Sequence, residues 1–179
     1  VYDESSLLGL SRSMRTGLSE EEQSLTGQSV SYLRERLLLS FAKAAMPSRV
    51  HRPAYPDFVS VREFDDEGRV VRECRFLGLF TSSVYTQSVR RIPFIRRKVE
   101  TVVQRANFGS SAHLAKELVQ VLEVLPRDEL FQAPIDELFE NAIAIVQIQE
   151  RNRLRLFLRF DPYRRFCYCL VYVPRDSYS

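Results

Sequence analysis

Phe58-Val59-Ser60-Val61-Arg62-Glu63-Phe64, then Asp65-Asp66-Glu67-Gly68, then Arg69 to Phe80 (Arg-Val-Val-Arg-Glu-Cys-Arg-Phe-Leu-Gly-Leu-Phe) is the stretch from which the fold is read. Both flanking runs are rich in β-branched and aromatic residues. The four polar residues between them end in a glycine able to take a positive φ, so the pattern predicts a β-hairpin. In the second strand Val71, Leu77 and Leu79 alternate with Val70, Cys74, Phe76 and Phe80, leaving both faces apolar at its far end. That predicts a central strand covered on both sides. Arg72, Glu73 and Arg75 break the pattern at the near end and are expected to reach solvent.

Upstream, Ser19 and Glu22 form a capping box. Val30, Leu33, Leu37, Leu38 and Phe41 recur at near-helical spacing, which predicts a helix over Glu20 to Met46, broken near Gly27 and ended by Pro47. Pro53 and Pro56 make His51 to Asp57 an extended connector. Downstream, Ile92-Pro93 opens a helix through Ala106, with Gly109 as its stop. Ser110 or Ser111 caps the next, which buries Leu114, Leu118, Val121, Leu122 and Leu125 and ends at Pro126. A short turn over Arg127 to Phe131 precedes a helix from Ala133-Pro134 to Gln149, carried by Ile135, Leu138, Phe139, Ala142, Ile143 and Val146.

Leu154 to Phe160 and Phe166 to Val173 read as a last hairpin around Asp161-Pro162-Tyr163-Arg164. Alternation places Leu154, Leu156 and Leu158 with Cys169, Val171 and Val173 on its inner face. Arg153, Arg155, Phe157 and Arg159 fall on a solvent face. The fold class is α+β, an antiparallel sheet with flanking helices.

Composition narrows the function. Apolar runs such as Leu37 to Leu39 and Ala142 to Val146 fall far short of the ~20 residues a membrane helix needs, and no secretory leader is expected. Three cysteines, an odd number, suit reduced thiols and a cytoplasmic location. The six glycines are too scattered for a dinucleotide or phosphate loop. Cys167 and Cys169 point the same way on a strand but lack zinc spacing, and buried thiols acting as small hydrophobes suit them better. Thr81, Ser82 and Ser83 follow a strand without a nucleophile elbow and read as a polar exit. Asp128-Glu129 sits in a first helical turn, where the helix dipole accounts for it. Arg90, Arg91, Arg96, Arg97 and Lys98, like the later arginines, read as salt-bridged surface rather than a nucleic-acid face; Arg90 and Arg91 are the candidates for an anion or subunit contact.

Six stretches in order carry a family resemblance: Val50 to Phe58, Arg69-Val-Val71, Arg75 to Ser82, Ile92-Pro93 with Arg96-Arg97-Lys98-Val99, Pro126 to Gln132, and Cys169 to Asp176. They resemble the N-terminal, non-catalytic region of the large bacterial NAD-specific glutamate dehydrogenases. Ser60 stands where glycine is expected. Arg164 replaces the glycine of an Asp-Pro-aromatic-Gly turn, which predicts a turn tolerating negative φ at that position.

The resemblance implies a PAS-like module over 1–90, a helical segment over 91–150, and the first hairpin of a truncated ACT-like module over 151–179. It implies a regulatory and assembly role in a homo-oligomeric parent enzyme that converts L-glutamate to 2-oxoglutarate with NAD. The chain itself would hold no catalytic, cofactor-binding or metal-binding residue, and its partners would be the rest of the parent chain and its own subunits, with no nucleic acid or membrane. A free-standing PAS-like sensor of a small ligand is the alternative. The chain reads as a piece of something longer, so the last hairpin is expected to fold back on its helices or to pair with another chain.

Overall fold

The computed structural model describes Ser5, Leu8 and residues 37–44, 47–48, 53–109, 111–149, 154–161 and 163–173. The expectations for residues 9–36, including the capping box and the Gly27 break, lie outside them. The chain forms two compact units: Val1–Leu79 with Asp161–Phe166, and Phe80–Phe160 with Cys167–Ser179.

Among the described residues the first unit is built on three antiparallel strands in the order β1 (Leu39–Lys43), β2 (Asp57–Phe64), β3 (Val70–Gly78). The predicted hairpin is β2–β3. Gly68 has φ 77°, and Asp65 closes the loop by accepting from the Arg69 backbone N–H at 2.8 Å. A register shift falls between Glu63 and Phe64. Two expectations are corrected. Residues 39–43 are strand, not the end of a helix: Phe41 faces Val59 and Lys43 faces Asp57 in register, and the buried residues are the small Ser40 and Ala42, at period two. The leucines that suggested a helical stripe are in part exposed, Leu37 and Leu38 among them. Pairing with β2 outweighs local propensity here. The second correction concerns β3, which is an edge strand among the described residues, with most side chains exposed; β2 is the central strand and buries Ser60 and Arg62.

The turn 161–166 groups with this unit. The buried Asp161 carboxylate accepts backbone N–H bonds from Tyr163 (3.1 Å), Arg165 (2.5 Å) and Phe166 (2.7 Å). Arg165 donates to the Lys43 carbonyl at 2.7 Å, and Phe166 meets Tyr55 edge-on at 5.1 Å. Arg164 has φ 55°, which corrects the expected negative φ. The Asp161 carboxylate, holding the N–H groups on both sides of Arg164, imposes a left-handed residue whatever its side chain.

In the second unit come α1 (Ser82–Thr86), a 3-10 turn (Val89–Arg91), α2 (Pro93–Ala106), α3 (Ala112–Val124), α4 (Arg127–Gln132) and α5 (Ile135–Gln149), followed by β4 (Arg155–Phe160) and β5 (Cys167–Tyr172). Pro93 opens α2 as expected, and Asn107, at φ 40°, stops it two residues before Gly109. Ser111 precedes α3 without a side-chain capping bond. The core comes from Ile95, Val99 and Val102 of α2, Leu118, Val121 and Leu122 of α3, Leu130 of α4, and Leu138, Ala142, Ile145 and Val146 of α5. Ile145 is fully buried although Ile143 was the expected core residue. Phe80 stacks on Phe131 at 4.7 Å.

β4 and β5 pair antiparallel, with Arg159 opposite Tyr168, Phe157 opposite Leu170 and Arg155 opposite Tyr172. The expected faces are inverted except at Arg155, which is exposed as expected, while Arg153 lies outside the described residues. Phe157, Arg159, Tyr168, Leu170 and Tyr172 are the half-buried set, whereas Leu154, Leu156, Leu158, Phe160, Cys167, Cys169, Val171 and Val173 are exposed. The arginine face is covered because Arg159 binds a carboxylate of α4.

Candidate functional site

The densest polar chemistry of the second unit is a buried ion cluster around α4. Glu129, only 3% exposed, receives Arg159 Nε at 2.8 and 2.9 Å on its two oxygens and Nη2 at 2.5 Å. A guanidinium fork on a carboxylate is the strong form of ion pair, and burial makes removing either partner costly. Arg159 also donates to the Gln132 side-chain oxygen at 3.5 Å. This cluster corrects the helix-dipole account of Glu129 and the solvent-face account of Arg159.

Lys98 was expected on a charged surface and is buried instead. Its ammonium donates to the carbonyls of Leu130 (2.9 Å), Phe131 (2.8 Å) and Ala133 (2.7 Å), and it lies 4.8 Å from the Phe94 ring centroid. A helix this short leaves its last carbonyls without internal partners, and a cation there meets both those oxygens and the negative dipole end. Burial, with the Arg159 charge acting the same way and Glu129 opposing, brings the Lys98 pKa down to about 8. Tyr168 faces the same cluster. Its hydroxyl is buried with no hydrogen-bond partner among the described residues, and burial, aided by Glu129, pushes its pKa up to about 12.

A second buried network holds the segment before α2. Arg127 donates to the carbonyls of Val84 (3.3 Å), Gln87 (3.0 Å), Glu123 (3.0 Å) and Leu125 (3.3 Å). Glu123 accepts from the Ser88 hydroxyl and, at 3.1 Å, from the Val89 N–H. In the first unit, burial alone would raise the Glu73 carboxyl. Hydrogen bonds from Arg75 and Ser60, with the Arg75 and Arg62 charges, instead bring it below its ordinary value.

Arg90 and Arg91, the contact candidates, are exposed on the 3-10 turn beside the buried Val89, and Arg90 meets the Glu123 network through its backbone N–H, which donates to the Ser88 hydroxyl at 3.3 Å. Arg90 borders two shallow surface grooves, one with Val99, Glu100, Val103 and Gln104, the other with Val103, Ala115, Lys116 and Val119. Thr81 and Ser83 share a hydroxyl bond of 2.7 Å at the start of α1. Asp65 belongs to its own loop, held below its ordinary pKa first by the Arg69 backbone N–H. Among the described residues no three His, Cys, Asp or Glu side chains gather as a metal site, and no helix is long and apolar enough to cross a membrane.

Sequence reasoning missed Lys98, Glu129, Arg159 and Tyr168. A signal existed: across from Arg155, Phe157 and Arg159 stand Tyr172, Leu170 and Tyr168, a more aromatic set than a solvent face carries.

Comparison with known proteins adds identity to this geometry. Residues 92–151 match the family described as glutamate dehydrogenase, helical motif 1, and residues 155–179 match glutamate dehydrogenase, ACT2 domain. The chain is similar over all 179 residues, at 68% identity, to the NAD-specific glutamate dehydrogenase of Pseudomonas aeruginosa, of which it covers 11%. Over 142 residues, 79% of the chain, it is 51% identical to the protein of that name from Halomonas elongata and 39% identical to that from Mycobacterium tuberculosis, covering 9% of each. It spans about a tenth of the length of these curated relatives.

Proposed function

Because this chain belongs with the NAD-specific glutamate dehydrogenases, matching one of them along its whole length and two others over 79% of it, we propose that it is a regulatory and assembly segment without catalytic groups of its own. The parent reaction in this reading takes L-glutamate, NAD and water to 2-oxoglutarate, ammonia and NADH. NAD and substrate bind in another part of the parent, which works in the cytoplasm as a homo-oligomer. The first unit serves as a PAS-like module, the helices as a rigid mount, and the last hairpin as part of an ACT-like module.

The observation that carries this reading is the state of the buried ions. Glu129 is held by Arg159, Lys98 has its three N–H donors on three carbonyls, and Arg127 and Glu123 are engaged with backbone groups. Charged groups so engaged hold elements together; a general acid or base must be able to reach a reacting atom. Scattered glycines, with no phosphate-cradling loop, point the same way. The candidates for a contact are the exposed Arg90 and Arg91, with Lys116 beside Arg90 along an apolar groove, a pairing suited to an anionic group on a neighbouring subunit.

The test follows NADH formation by absorbance with glutamate and NAD supplied together. The purified chain is expected to give no turnover, and the parent lacking this segment is expected to lose its native oligomeric mass. Turnover by the isolated chain near the parent's rate overturns the reading, as does a segment-deleted parent that assembles and responds to amino acids unchanged.

A further inference from the structure

Cys167 and Cys169 are both exposed, which removes the account of them as buried small hydrophobes. Tyr168 between them belongs to the half-buried face of β5, so the two thiols share the opposite one. Across the hairpin Phe160 stands opposite Cys167 and Leu158 opposite Cys169, and both of these partners are more than half exposed. The thiols therefore sit next to one another on an open, apolar surface. The Cys167 thiol donates to the Tyr168 carbonyl at 3.6 Å, a bond that draws its sulfur along the strand in the direction of Cys169.

We propose that Cys167 and Cys169 form a two-thiolate site for a single soft cation that accepts linear two-coordination, of which Cu(I) is the type. Distance favours an ion over a direct bond. Neighbouring positions on one face of a strand lie about 6.7 Å apart. A disulfide needs Cβ atoms within about 4.5 Å, so this strand cannot close one without bending. Two metal–thiolate bonds of about 2.3 Å set in line hold their sulfurs about 4.6 Å apart. Each sulfur then leans about 1 Å toward the other, which strand rotamers permit because they tilt side chains along the strand. Ligand type and number select the ion. Thiolates suit soft cations, whereas magnesium, calcium and manganese take oxygen. Structural zinc takes four ligands, and among the described residues no third His, Cys, Asp or Glu joins these two. The cross-strand neighbours Leu158 and Phe160 cannot coordinate, and a linear ion asks for no further ligand. On binding, two S–H bonds break and two S–Cu bonds form. Both protons pass to solvent and no electron is transferred, so affinity rises with pH.

The test titrates the 179-residue chain with Cu(I), without oxygen and with a non-thiol reductant, against the chromophoric chelator bicinchoninate. One equivalent per monomeric chain is expected. Cys167→Ser and Cys169→Ser should each weaken it by more than about a hundredfold, the ceiling for losing an outer partner rather than a ligand. Cys74→Ser, on the exposed strand β3, should leave it unchanged. All three positions are exposed, and far-ultraviolet circular dichroism checks that each variant keeps its fold. Zn(II) added in equal amount should not displace the Cu(I). In the full-length parent, one equivalent of Cu(I) should protect the peptide carrying Cys167 and Cys169 from iodoacetamide, read by mass spectrometry. Cu(I) binding that survives replacement of both cysteines overturns the proposal, as does binding that depends on Cys74. So do an ion shared between two chains, displacement by Zn(II), or a parent in which Cu(I) leaves the alkylation of these two thiols unchanged. None of these readouts depends on dehydrogenase turnover.

Discussion

Arg164 sits at φ 55° in a turn where a side chain is a burden, because an L-residue with a Cβ is crowded in the left-handed region. Replacing it with glycine removes that crowding, at some cost in the entropy of the unfolded chain. Arg164→Gly is therefore expected to raise stability by about 0.5–1 kcal/mol, read as a shift in the urea midpoint. Lys98 supplies a pH signature. Its folded pKa of about 8 lies below the ordinary lysine value of 10.5, so between those values the unfolded chain holds a proton that the folded chain has released. Stability from this group rises with pH across that window. Tyr168 acts in the opposite sense above pH 10, because its folded pKa of about 12 keeps a proton that the unfolded chain gives up. Urea titrations from pH 7.5 to pH 10 should show the native chain gaining stability relative to Lys98→Met. A constant difference between the two would contradict the buried-ammonium account.

Elements are joined here by ions more than their sequences suggest. Glu129→Leu leaves the Arg159 guanidinium buried without its carboxylate, and Arg159→Met leaves Glu129 buried without its cation. Each single change is expected to cost about 3–5 kcal/mol. The double variant Glu129→Leu/Arg159→Met is expected to recover more than half of that loss, since it buries no lone charge. A double-mutant cycle by chemical denaturation measures the coupling. Additive losses would mean that the pair is not what holds β4 to α4. The helices of 93–149 were legible because each carries its own punctuation: Pro93 at the start of α2, Pro126 after α3, Pro134 before α5, and a 3.6-residue apolar stripe between. Strand β1 was not. Leu33, Leu37 and Phe41 fit a helical stripe, and only the partner strand 57–64 makes extension the better state for 39–43.

For the molecule as a whole, the arginine-rich composition means less than its count. Arg127 and Arg159 are bound inside the second unit, and Arg69, Arg75 and Arg105 pair with nearby acids. Duplex and single-stranded DNA are expected to bind weakly and to release between 50 and 200 mM salt, measured by fluorescence anisotropy. Sub-micromolar binding that persists through that range would restore a nucleic-acid role.

What local chemistry dictates, this sequence states openly: the hairpin around Gly68, the helix starts and stops at prolines, and the want of a phosphate loop all depend on neighbours in the chain. The face each strand turns inward does not. Alternation assigns two faces to β4 and is symmetric between them. The choice fell to Glu129, thirty residues earlier in the chain, whose buried carboxylate draws Arg159 inward and turns Leu156 and Leu158 out. The same holds for Lys98, which reads as surface charge until the carbonyl end of α4 is folded against it. A residue's charge is written in the sequence, but its burial is a property of the partner that folding brings to it.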